Sequence, residues 1–149
     1  MNKKLIVSDI DGTLAAEGSN VLNPAYYDVI RALSEKGVTV AIASGRHATS
    51  IKKLFAPVTD CIWILSQNGG VIEHQGETLV LNPIPHDWAA ELWLLLAPHA
   101  DLVDCVLNTA GLSYVPYDGT DMYRLLIDSY RYELAITGGW DQTPTEDIS

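Results

Sequence analysis

Lys4-Leu5-Ile6-Val7-Ser8-Asp9-Ile10-Asp11-Gly12-Thr13-Leu14 decides the fold: an apolar run stops abruptly at two carboxylates and a glycine. The run up to Ser8 reads as a buried strand. Beyond a polar loop from Glu17 to Asn23, Asn23-Pro24 is a helix start, with Asn as N-cap and Pro at the first helical position. Tyr26, Val29, Ile30 and Leu33 then form one apolar helical face, and Gly37 stands where that helix should stop. Val38 to Ala43 repeats the strand pattern and ends in Ser44-Gly45-Arg46. Ile51, Leu54 and Phe55 mark a short helix closed by Pro57. A third strand, Cys61 to Leu65, ends in Ser66-Gln67-Asn68-Gly69-Gly70. Continuous rather than alternating hydrophobicity in three successive strands predicts an α/β fold with a Rossmann-like parallel sheet and helices on both faces.

Composition limits what such a sheet can do. Lys plus Arg is 9 against 19 Asp plus Glu, a formal net charge of −10, and the basic pairs Lys3-Lys4 and Lys52-Lys53 make no patch. General nucleic-acid binding is excluded on that ground, because phosphate-backbone affinity needs clustered cations. An anionic substrate would have to be held by placed dipoles, a metal ion or single cations. Apolar residues at 48% supply a core, while no apolar run is long enough to cross a bilayer. Met1-Asn2-Lys3-Lys4 opens like a signal peptide, yet its apolar run ends at once in Ser8-Asp9, so a cytoplasmic protein is expected. Cys61 and Cys105 fit buried thiols of that compartment.

Ligands of open parallel sheets bind outside the carboxyl ends of the strands. Here those ends carry Asp9 and Asp11, then Ser44, then Ser66 to Asn68. Two carboxylates two residues apart suit a hard cation such as Mg²⁺, which prefers oxygen, and their mutual repulsion favours a metal or a proton between them. Gly12 allows close backbone approach to an anion. The competing structural readings are an acidic turn after a strand and, for Ser44, an N-cap for the helix near Arg46.

Asp9-Ile10-Asp11-Gly12-Thr13-Leu14 resembles the first motif of the haloacid dehalogenase (HAD) superfamily of phosphotransferases, and Ser44-Gly45-Arg46 resembles its second. Ser66 to Gly70 followed by a hairpin resembles the Cof-type branch, whose members usually dephosphorylate small sugar or nucleotide phosphates. The likeness covers about Lys3 to Leu81. It implies a Mg²⁺-dependent phosphatase acting on a small phosphorylated metabolite, with no nucleic acid or membrane as partner. By the resemblance Asp9 is the nucleophile, giving an aspartyl-phosphate, and Asp11 is the general acid and then base. Asp9 and the backbone carbonyl of Asp11 would hold the metal. Gly12, Thr13, Ser44 and Gly45 would cradle the phosphoryl oxygens, with Arg46 and Asn68 beside the substrate.

The rest of the chain departs from that pattern. The family places a charge-balancing Lys and a Gly-Asp acidic motif later in the core, but no lysine follows Lys53. Asp118-Gly119-Thr120-Asp121 reads as a surface turn. The sequence therefore divides into a core portion over 1–82, a partial cap-like region over 83–137 and a loose tail over 138–149, as though truncated within the cap. In the cap-like part Asp87 to Leu96 and Thr120 to Arg131 are expected helices. Leu102 to Leu107, Leu112 to Val115 and Leu134 to Thr137 are expected strands. His47 reads as a solvated surface residue, and no histidine has metal-ligand spacing. An open sheet edge, or the patch of Trp88, Leu92, Trp93, Leu95 and Leu96 where these are not buried between lobes, would support self-association into a homo-oligomer. Two alternatives remain. One is a phosphate- or metal-binding remnant with little or no turnover. The other is a response-regulator receiver domain, which would carry its acceptor Asp where Ser66-Gln67-Asn68 stands.

Overall fold

The structure, a computed structural model, describes residues 4–142 and 144. Strands β1 (Lys4–Ser8), β2 (Val38–Ala43) and β3 (Ile62–Ser66) lie parallel in sequence order; β4 (Val71–His74) and β5 (Glu77–Leu81) extend the sheet as an antiparallel hairpin. Helix α1 (Ala25–Glu35) links β1 to β2, and α2 (Ala48–Leu54) with a 3₁₀ turn over Ala56–Cys61 links β2 to β3. Pro24 has helical dihedrals and Asn23 Oδ1 accepts from the Ala25 amide at 3.0 Å, so the Asn-Pro start does cap α1. Gly37 ends the passage at φ +72°.

One core cluster joins Ile30 of α1, Ile51 and Leu54 of α2, Phe55 and Val58 with Val40, Ile42, Ile62 and Ile64 on one face of the sheet. Right-handed crossovers that advance in one direction put both helices on the same face. The cover expected on the second face is thus not made by these two helices. Val29, read as part of the apolar face of α1, is exposed instead. The larger departure is β1. Leu5, Ile6 and Val7 are 62%, 42% and 53% exposed, although the run reads as buried. Among the described residues β1 pairs only with β2, which leaves its other edge open.

Beyond β5 lie α3 (His86–Leu96) and a small sheet of β6 (Leu107–Asn108), β7 (Ser113–Val115) and β8 (Leu134–Ile136), with α4 (Asp121–Arg124) continuing as a π-type turn over Leu125–Ser129. The strand expected from Leu102 forms only at Leu107–Asn108, because the preceding residues leave α3 through hydrogen-bonded turns onto the His99 carbonyl. Thr120 Oγ1 caps α4 by accepting from the Tyr123 amide, so of the four residues read as a turn Asp118 to Thr120 form a bend and Asp121 opens the helix. Within the stretch read as a loose tail, Trp140 is 6% exposed and tilts against Trp93 with ring centroids 4.9 Å apart. Both cysteines are free and half-buried.

The two sheets are joined through His47, and the expectation of a solvated side chain fails there. It is fully buried. Its Nε2 donates to the Thr109 carbonyl at 2.9 Å, its Nδ1 accepts from the Thr49 amide at 3.2 Å, and its own amide donates to Tyr132 Oη at 2.8 Å. A neutral ring satisfies every one of these bonds, its Nδ1 lone pair serving the Thr49 amide and hydroxyl at 3.2 and 2.8 Å. Burial holds its pKa below the ordinary value, with the Thr109 bond opposing. Stability from His47 is therefore whole above about pH 6.5 and is lost as pH falls below that, since the unfolded chain binds the proton better. Urea unfolding at pH 7.5 and 5.5 should show a loss on acidification that is smaller in His47→Gln.

Candidate active site

Backbone register brings the three sequence clusters together. Ser8 pairs with Ile42, and Ala43 with Leu65, so the carboxyl ends of β1, β2 and β3 open on one edge. A cleft of about 490 Å³ lies there, lined by Asp9, Ser44, Gly45, Asn68 and Gly69 among others. Asp9 is exposed; its Oδ1 accepts from the Ile10 amide at 2.7 Å, leaving Oδ2 free among the described residues. Ser44 is buried beside it. Its hydroxyl accepts from the Arg46 amide at 3.2 Å, within the turn before α2; the N-cap of that helix is His47, whose side chain accepts from the Thr49 amide, so the reading of Ser44 as the cap fails.

Asn68 is carried into the cleft by a left-handed stretch, Gln67, Asn68 and Gly69, at φ +53°, +55° and +93°. Such residues cost of order 1–3 kcal/mol each when they are not glycine, and persist where their surroundings over-determine them. Here the constraints are the Asn68 amide on the Ser44 carbonyl at 3.2 Å and the Gln67 amide on the Arg46 carbonyl at 3.1 Å. Gly45 suits the same approach: a Cβ there would crowd the Asn68 side chain, meeting Oδ1 at 3.2 Å.

Two expected placements differ. The amides of Gly12 and Thr13, expected at the phosphoryl oxygens, donate instead to the Ala15 and Ile10 carbonyls at 2.8 and 3.1 Å, because the loop closes on itself. Arg46, expected beside the substrate, is 3% exposed and turned onto Asp11. Its Nε and Nη2 donate to the two Asp11 oxygens at 2.9 and 2.7 Å, and the Gly18 amide donates to Oδ1 at 3.1 Å. The guanidinium also donates to the Ser19 carbonyl and Asn20 Oδ1, and stacks 4.7 Å from the Tyr130 ring centroid. The Arg46 fork holds the Asp11 pKa below the usual carboxylate range, against the effect of burial.

Sequence reasoning missed Asn20, Tyr130 and Tyr132. A loop Asn and two tyrosines more than eighty residues away gave no periodicity or spacing to follow. As for a metal, no group of three His, Cys, Asp or Glu converges among the described residues. With the Asp11 carboxylate taken by Arg46, the Asp9 carboxylate and the Asp11 main-chain carbonyl remain as oxygen donors. That set fits a Mg²⁺ that keeps several waters, as one or two protein carboxylates usually suffice for it.

The model of the haloacid dehalogenase-like hydrolases matches residues 6–133. The chain is 23% identical over 150 aligned positions, 99% of this chain and 54% of the relative, to the 5-amino-6-(5-phospho-D-ribitylamino)uracil phosphatase of Escherichia coli. It is 26% identical to a Bacillus subtilis phosphatase, over 86% of this chain and 44% of that protein. A solved structure from Eubacterium rectale superposes with a TM-score of 0.82 at 30% identity, covering 98% of this chain and 55% of that one. A subclass IIB sugar phosphatase of the HAD superfamily gives 0.74 at 19% identity, over 99% and 56%. The chain thus spans about half the length of the relatives it matches.

Removing the Arg46 side chain would strand a partly buried carboxylate. Arg46→Ala should cost about 3 kcal/mol in urea unfolding, and Arg46→Lys should recover only part of it, because an ammonium cannot make the two-pronged contact.

Proposed function

Because the chain belongs to the haloacid dehalogenase-like hydrolase family, we propose that it carries the nucleophilic half of a phosphatase site acting on a small phosphorylated metabolite. The observation that supports this is the convergence of Asp9, Ser44, Gly45 and Asn68 on one cleft at the carboxyl edge of the sheet. In this reading Asp9 Oδ2 attacks phosphorus, the P–O bond to the leaving group breaks, and an aspartyl-phosphate forms. The departing alkoxide takes a proton from Asp11. Water, deprotonated by the same carboxylate, then cleaves the acyl phosphate and regenerates Asp9.

The Gly45 amide and the Ser44 hydroxyl face the cleft as donors for phosphoryl oxygens. Asn68 bounds its far side. A bound Mg²⁺ would supply neutralisation of phosphoryl charge, held by Asp9 and the Asp11 carbonyl. Asp11 cannot give a proton from inside the Arg46 fork, which favours its ionised form, so its role as acid requires the carboxyl to swing out of that fork. The same geometry favours, as a second reading, a chain that binds metal and phosphate with little turnover. No nucleic acid enters the proposal, in keeping with the charge of −10. No described helix is long and apolar enough to cross a membrane, and a cytoplasmic location belongs to the proposal. So does self-association through the open edge of β1 or the exposed Trp88, Leu92 and Leu95.

Beryllium fluoride mimics an aspartyl-phosphate. With Mg²⁺ present, ¹⁹F NMR of the chain should show a bound signal that Asp9→Asn abolishes and Asp11→Asn retains. With para-nitrophenyl phosphate, any turnover should fall by about 10²–10⁴ in Asp11→Asn. A bound signal without turnover selects the second reading. A signal surviving in Asp9→Asn overturns the assignment of the nucleophile.

A further inference from the structure

A second cleft, of about 580 Å³, opens near the amino end of β3, away from Asp9. Ile62 and Ile64 form its apolar floor, and Lys52 of α2, Asp60 of the 3₁₀ turn and Glu73 and His74 of the hairpin form its walls. It shares no residue with the cleft at the carboxyl edge. The hairpin tip is held in place over it. His74 stacks on Trp63 at 4.5 Å between ring centroids, and its Nδ1 donates to the Ile62 carbonyl at 3.1 Å.

Glu73 is the unusual member. Alternation along β4 turns it inward with Val71, and the β4–β5 register shifts between Ile72 and Glu73, the kind of irregularity that re-aims a side chain. It is 5% exposed. One oxygen, Oε1, accepts from Lys52 Nζ at 2.8 Å, while Oε2 is buried with no hydrogen-bond partner among the described residues. Buried polar atoms are nearly always paired, so an orphan acceptor on a cleft wall asks for a donor. An inward charge that merely guards a hairpin against edge pairing accounts for the Lys52 contact and not for Oε2.

We propose that this cleft binds a small organic cation, an ammonium group on an apolar body, with Glu73 Oε2 accepting an N–H from it. Two carboxylates, Glu73 and Asp60, stand against the single ammonium of Lys52, so the walls favour a cation over a phosphate. The floor of Ile62 and Ile64 takes the apolar body. The volume falls in the ordinary range for small-molecule pockets, roughly 300–1,000 Å³. Oε2 has no exposed surface while Lys52 holds Oε1, so the incoming group reaches it as the Lys52 side chain, 40% exposed, swings aside and frees the carboxylate to turn.

Benzylammonium is a suitable probe, with benzyl alcohol as its uncharged counterpart. Titrated into the ¹⁵N-labelled 149-residue chain at pH 7, benzylammonium should shift the amides of Ile64, Glu73 and His74 saturably. The alcohol should bind at least about tenfold more weakly, since a charge-assisted bond to Glu73 is lost. Glu73→Gln should abolish the shifts. Because that variant also breaks the Lys52 pair, Lys52→Met provides the complementary arm: it keeps Glu73, removes the competing ammonium and should tighten binding. No saturable shift up to about 10 mM, equal affinity for the alcohol, undiminished binding by a folded Glu73→Gln, or weaker binding by Lys52→Met would each overturn the proposal.

Discussion

A guanidinium taken out of water costs several kcal/mol unless its N–H groups find acceptors in good geometry, and Arg46 finds them only where the loop after β1, the start of α2 and the stretch before β8 meet. Asp11 supplies two acceptor oxygens, the loop after it supplies the Ser19 carbonyl and Asn20 Oδ1, and Tyr130 supplies an aromatic face. The polar partners all come from the loop after β1 and the aromatic one from more than eighty residues away. Once this pair forms, the loop holding Asp9 is fixed relative to β2, and the position of Ser44, two residues before Arg46, follows.

The same contact couples the two sheets. Tyr130 covers Arg46, Tyr132 Oη receives the His47 amide, and the Ser50 hydroxyl donates to the Tyr130 carbonyl. Lys53 adds a bond to the Arg131 carbonyl and an exposed pair with Glu133, worth little on its own. Residues 130–133 therefore lie along α2 from its amino cap to Lys53. Any movement of the second sheet that carried Tyr130 away would uncover Arg46 and weaken its hold on Asp11. Geometry thus links the placement of residues 130–133 to the charge state of Asp11, the carboxylate proposed to handle a proton.

Legibility from sequence followed the range of the interactions involved. Strand ends, the Asn23-Pro24 cap, the Gly37 stop and the hairpin are set by local sterics and short hydrogen bonds, and all were readable from neighbouring residues. So was the convergence of Asp9, Ser44 and Asn68, because parallel strands in sequence order must end on one edge. The partners of Arg46 and His47 were not readable. A basic residue and a histidine after a Ser-Gly turn look solvated until tyrosines from far along the chain bury them, and that burial depends on tertiary contacts no periodicity encodes. Exposure of Leu5, Ile6 and Val7 was hidden for the opposite reason. Local hydrophobicity correctly marked a strand suited to the interior of a parallel sheet, but burial needs neighbours on both sides, and among the described residues β1 has one.

That uncovered strand bears on the chemistry, since Asp9 stands at its end. Around the cleft, β2 and β3 close one flank through Ser44, Gly45 and Asn68, and none of the named lining groups is a cation. The nearby guanidinium of Arg46 is committed to Asp11. A phosphoryl dianion entering beside the Asp9 carboxylate would meet neutral donors alone, and neutral donors offset only part of the repulsion between an attacking carboxylate and its target. In the proposed reaction the balance would come from a divalent ion held by Asp9 and the Asp11 carbonyl. That demand falls at the end of β1, the strand whose second edge is unpaired among the described residues.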